Sequence, residues 1–74
     1  MQEFKIKIHN PEHSKAVQER LFELGYEWAE NKKNVSYLSS AYITTYGIGN
    51  MLHGNALTNF QDSNKKQVTL DDLY

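Results

Sequence analysis

Three histidines are the side chains of this chain whose ordinary titration falls near neutrality, so they are the first place to look for chemistry. His53 lies in Met51-Leu52-His53-Gly54-Asn55. Acid–base work by it needs a partner such as Lys5, Lys7 or a tyrosine, and a stabiliser for an oxyanion or phosphate. That set describes a minimal nuclease-like enzyme. No spacing in the sequence demands it, and a polar loop histidine is the favoured reading. His9 and His13 stand at the spacing of a metal pair on one helix, but Asn10-Pro11 breaks the chain between them and leaves His9 on a strand. With no cysteine and no third ligand nearby, neither a metal site nor a cofactor is expected.

Gly47-Ile48-Gly49-Asn50 is glycine-rich enough to bring a ligand close to backbone amides, but it lacks the lysine of a P-loop and the strand–glycine–helix setting of a dinucleotide fingerprint. Tyr37, Tyr42 and Tyr46 suggest a stacking platform, with Tyr42 and Tyr46 on one strand face and Thr44 between them. A formal net charge of −1 argues against affinity built on phosphate neutralisation, so direct nucleic-acid binding is disfavoured. Trp28 is expected to be a core anchor, because it carries the largest apolar surface of any side chain here.

Charge distribution says more than its total. Every Asp, Glu, Lys and Arg lies at or before Lys33 or at or after Asp62; between Asn34 and Gln61 there is none. The span is rich in Ser, Thr, Tyr, Asn and Gly, the composition of adaptable recognition surfaces, and charge depletion marks interface centres. A buried strand accounts for Ala41 to Tyr46 but not for the polar stretch after it. The residues this assigns to ligand or partner binding are Tyr42, Tyr46, Gly47, Gly49, Asn50, His53 and Asn55. No catalytic residue is assigned, and the chain is read as a binding protein, not an enzyme.

The elements that must position these residues follow from periodicity. Glu3 to His9 alternates, with Phe4, Ile6 and Ile8 on one side, as a half-buried strand does. Asn10-Pro11-Glu12 is a helix start, and the helix should run from about Pro11 to Leu24, with Val17, Leu21 and Leu24 inward and Gly25 as its left-handed cap. Tyr26 to Glu30 and Asn34 to Leu38 read as strands around the turn Asn31-Lys32-Lys33, and Ala41 to Tyr46 as a stronger one. Beyond Gly47 a short strand, a bulged strand and an ordered loop all fit, with a strand resuming around Leu57 to Gln61. Gln67 to Leu70 closes the sheet, and Asp71-Asp72-Leu73 forms a helical turn that tucks Leu73 against the core. The sum is a single α+β domain over residues 1–74: one helix packed on an antiparallel sheet of about five strands, in the order β-α-β-β-β-(β)-β.

A chain of 74 residues has one core and little spare stability, and without cysteine it has no disulfide to add, so a homo-oligomer is expected. Met1 to Asn10 contains no apolar targeting segment, and no run of apolar residues is long enough to span a bilayer. The expectation is a cytoplasmic protein without membrane contact. Asn34-Val35-Ser36 spells a glycosylation sequon that this location makes meaningless.

The run from Pro11 to Trp28, with its VQ-x-x-LF-x-LGY-x-W element, and the closing Val68-Thr69-Leu70-Asp71-Asp72-Leu73 resemble small accessory proteins of tailed bacteriophages. The resemblance covers core residues, caps and turns, and leaves out the middle of the chain, Ser39 to Asn59. It implies a protein made in the cytoplasm of an infected bacterial host, where such proteins block host enzymes or defence systems or sequester signalling nucleotides. The leading expectation is therefore inhibition of a host or antiviral-defence protein by protein–protein contact. Capture of a small nucleotide signal in a pocket between subunits is the alternative, and a nuclease-like enzyme using His53 the second.

Overall fold

Asn10 begins the main helix as its sequence demands: its Oδ1 accepts the His13 N–H at 2.7 Å, Pro11 takes the first helical position, and Glu12 sits at the positive end. In the computed structural model, which describes residues 1–74, this helix is α1 (Pro11–Glu23). Its end is a Schellman closure, with the Gly25 N–H donating to Phe22 O and the Tyr26 N–H to Leu21 O. Gly25 has φ 103°, a conformation that side-chain-bearing residues avoid. The closure turns Tyr26 straight into the core.

The remaining elements are β1 (Phe4–Lys7), β2 (Glu27–Trp28), β3 (Tyr42–Thr45), β4 (Asn50–Gly54), α2 (Leu57–Asp62), β5 (Lys66–Gln67) and a 3₁₀ turn, Asp71–Leu73. They make an α+β fold with one main helix on a five-stranded sheet in the order β2-β4-β3-β1-β5. The central pairs β1–β3 and β3–β4 are antiparallel. The two edge strands instead pair parallel to their neighbours, β5 with β1 and β2 with β4, so the sheet is mixed where a wholly antiparallel one was expected. Both edge strands are reached through helices or long crossings, which is the connection that parallel pairing requires.

Ile6, Ile8, Ile43, Met51, Trp28 and Val68 meet Val17, Leu21 and Phe22 of α1 on one face of the sheet, and Leu73 closes the end, so the core extends along the whole chain. Leu24, expected inward, lies in the cap of α1 with its side chain exposed, because the Schellman turn gives its place in the core to Tyr26.

Two expected strands are absent. Asn34 to Leu38 is irregular: Lys32 (φ 58°) and Tyr37 (φ 55°) take left-handed conformations that no strand contains, and of the expected hairpin only a Trp28–Lys32 bridge forms. Leu57 to Gln61 is helical. Leu57 and Phe60 are spaced for a helix, and strand alternation would have paired Phe60 with Thr58 on its face. No helix is long and apolar enough to cross a membrane.

Candidate functional site: an aromatic notch beside an open strand edge

The register of β3 sorts the candidate residues onto two faces of the sheet. Ile43 is opposite both Ile6 and His53, which puts His53 on the helix-packed face, whereas Thr44 is opposite Lys5 and Leu52, which puts Tyr42, Thr44 and Leu52 on the other. The sheet therefore stands between His53 and the lysines that a nuclease-like constellation would recruit from β1. That constellation is not assembled.

On the second face the tyrosines are already engaged. The Tyr42 ring packs against Phe60 of α2 with centroids 5.7 Å apart and lies over Gly54, where a Cβ would collide with it. Lys65 places its ammonium 3.3 Å from the Tyr46 ring centroid and donates to Thr45 O at 2.6 Å. Partial burial holds the Lys65 ammonium below the usual lysine range, while Glu3 pulls it the other way. Lys5, 8% exposed, donates to Phe60 O at 2.7 Å and Ser63 O at 3.1 Å. A cation on the last carbonyls of a short helix fixes α2 to the sheet.

Gly47 and Gly49 form the β3–β4 turn. The Gly49 N–H donates to Tyr46 O at 2.8 Å, Gly49 itself has φ 96°, and the Tyr46 N–H returns to Asn50 O, the geometry of a type I turn closed by a G1 bulge. The Gly47 N–H donates to Glu3 Oε2 at 2.9 Å. Both amides are thus used inside the chain, so they do not form a phosphate cradle. Asn50 opens β4 opposite Glu27, and Asn55 Oδ1 accepts the Ala41 N–H at 3.0 Å.

His53 has a more organised setting. Its ring stacks on Tyr37 at 3.8 Å between centroids and 11° between planes; Trp28 meets both edge-on, at 5.9 Å from His53 and 4.9 Å from Tyr37. Ser40 Oγ lies 2.7 Å from His53 Nδ1 and fixes the imidazole in its plane. Beneath the stack, Gln18 is wholly buried: its Oε1 accepts from Trp28 Nε1 at 3.1 Å and from the Ser36 N–H at 2.9 Å, and its Nε2 donates to Ser14 Oγ and Ser36 O. Asn31 Nδ2 adds bonds to Ser36 Oγ and Tyr37 Oη. This network holds the irregular segment against α1, with Tyr37 in its left-handed conformation.

A cavity of about 230 Å³ opens beside the stack, lined by Trp28, Ala29, Glu30, Tyr37, Leu52 and His53 among others. It lies where the chain leaves β2. Sequence reading singled out Trp28, Tyr37 and His53 but not Gln18 and Ser40, which position them; a glutamine on the inward side of an amphipathic helix, one turn from Ser14, was the available signal.

His9 and His13 come together in spite of the intervening Asn10-Pro11: their rings are 4.7 Å apart, and His13 Nδ1 accepts the His9 backbone N–H at 3.2 Å. Burial and the neighbouring His9 both push the His13 imidazole below the usual histidine range.

The chain matches no family model, no curated protein and no solved structure.

Proposed function

We propose that this is a noncatalytic binding protein that inhibits a host or antiviral-defence protein of an infected bacterium by direct protein–protein contact. The observation that carries the reading is one half of the fold, β3, β4, their turn and α2 as far as Gln61, which bears no charged side chain yet exposes Ile48 (84%), Leu52 (52%) and Leu57 (46%). Single exposed apolar side chains are ordinary, but several on one charge-free half have the character of an interface centre. The host setting rests on the resemblance to phage accessory proteins. The nucleotide alternative finds less support, since the amides and tyrosine rings it would use have partners within the chain.

A photoreactive residue placed at Leu52 of the chain expressed in bacteria is expected to cross-link one dominant protein other than a second copy of the chain. That protein, purified, should lose activity on adding the intact chain. Leu52→Asp should weaken the complex about tenfold, as loss of a central apolar contact does. In dilute protein the melting temperature of the chain should stay unchanged by this substitution, because Leu52 is half exposed. Full inhibition by both Leu52→Asp and Ile48→Asp would overturn the reading.

A further inference from the structure

β2 pairs with β4 only at Asn50 and Met51, so the remainder of β4, Leu52 to Gly54, has no strand on its outer side. The ladder says which groups are left there. Asn50 gives its carbonyl to the Tyr46 N–H, and Leu52 and Gly54 follow at the same phase facing β3; Gly49 gives its carbonyl outward to the Glu27 N–H, and His53 shares that outward phase. The backbone N–H and C=O of His53 therefore point into open space at a sheet edge. Such a pair is a template for one more strand.

The cavity of about 230 Å³ adjoins that edge and has a definite chemistry. Its aromatic lining is Trp28, Tyr37 and His53, and Glu30 is its one charged residue. The sole ion pair of the chain is Lys32 with Glu27 at 3.9 Å, so the Glu30 carboxylate is paired with no cation of its own chain. Aromatic walls with a free carboxylate suit a guanidinium or ammonium on an aliphatic stem, which can lie against the rings while its charge reaches the acid. A second copy cannot supply this from the same edge, because Asn50 to Gly54 carries no lysine or arginine.

We infer that the protein partner adds an extended strand to the free edge of β4 at His53 and inserts a basic side chain from that strand into the Trp28–Tyr37–His53 notch, opposite Glu30. This rests on the binding reading above and specifies the partner's segment. Main-chain pairing supplies affinity, and the notch selects the sequence. Ser40 and Gln18 act as positioning residues, holding the His53 ring and the Trp28 indole at the wall.

The probe is the capped peptide acetyl-Thr-Val-Arg-Val-Thr-amide, titrated into the ¹⁵N-labelled full chain, with a norleucine peptide as control. Saturable shifts are expected at the amides of Leu52 to Gly54 and at the Trp28 indole, with protection of the His53 amide from exchange. The norleucine peptide should bind about fivefold more weakly, and Glu30→Gln should weaken the arginine peptide by a similar factor and leave the norleucine peptide unaffected. Equal binding of the two peptides, shifts confined to another edge, or no saturation by about 1 mM, the weak end of specific recognition, would overturn the inference. A protein cross-linked at Leu52 whose binding leaves the His53 amide unprotected would remove the added strand while leaving the binding function in place.

Discussion

Gln18 shows how one buried polar side chain organises the aromatic notch. It is fully enclosed, and its hydrogen bonds go to the buried Trp28 indole and Ser14 hydroxyl and to both backbone groups of the half-buried Ser36. A buried group stripped of its partner costs about 1–3 kcal/mol, and Gln18→Ala strips several at once while opening a cavity. The expected loss is about 3 kcal/mol of unfolding free energy, read from the shift of the urea midpoint. The same change should free Tyr37 from its left-handed conformation, with Trp28 fluorescence moving to the red. A loss below about 1 kcal/mol, within the range of one ordinary hydrogen bond, would mean that water replaces the amide and that the notch does not depend on it. Its one sequence signal is an inward position one turn from Ser14, which is weak because polar types on helices usually face solvent, and only the joint placement of Trp28 and Ser36 gives Gln18 its partners.

At the scale of elements, the start of α1 carries a pH response. His13 receives the His9 N–H as a neutral acceptor at a helix N-terminus, where a positive charge is disfavoured, and burial and His9 lower its protonation further. Lys7 and His9 line the same shallow cavity, and neither offers a negative charge to offset protonation. The unfolded chain, with its ordinary histidine value of about 6.5, then binds the proton more readily than the folded one. Stability is accordingly full above that value, falls as pH drops through it, and levels off once the folded form is also protonated. His13→Gln should flatten this part of the curve, as urea midpoints measured between about pH 5 and 8 would show; an unchanged slope would place the acid sensitivity elsewhere. Elements whose signals are local were legible in the sequence: β1 by alternation, α1 by Asn10-Pro11 and Gly25, β3 by its β-branched and aromatic run, and the closing turn, where Thr69 and Asp72 bond each other's backbone N–H in a reciprocal cap. The segment from Asn34 to Leu38 was misread because its conformation is set by Gln18 and Asn31, and α2 because its short helix is held by Lys5 from across the fold. Long-range hydrogen bonds leave no period in a sequence.

For the whole molecule, the uncharged run between Asn34 and Gln61 folds into β3, β4, most of α2 and the adjoining loop, and the charged residues go to α1, to the β1–β5 side and to the β2 edge. The seven residues first assigned to binding fall on this uncharged half, but the register divides them between both faces of the sheet. A core of 11 buried apolar side chains leaves such a domain with modest stability, so covering exposed apolar surface has a proportionately large effect. A stable pair needs about 800 Å² buried on each partner, a fraction that the 4556 Å² surface can provide from the uncharged half alone. Alone in solution the protein is therefore expected to self-associate through the outer face bearing Leu52 and Leu57, with a melting temperature that rises with protein concentration. Leu52→Asp should abolish the concentration dependence without lowering the melting temperature of the dilute protein, and because few charges meet there, added salt should not dissociate the pair. A melting temperature independent of concentration in the unmodified chain would overturn self-association through this face.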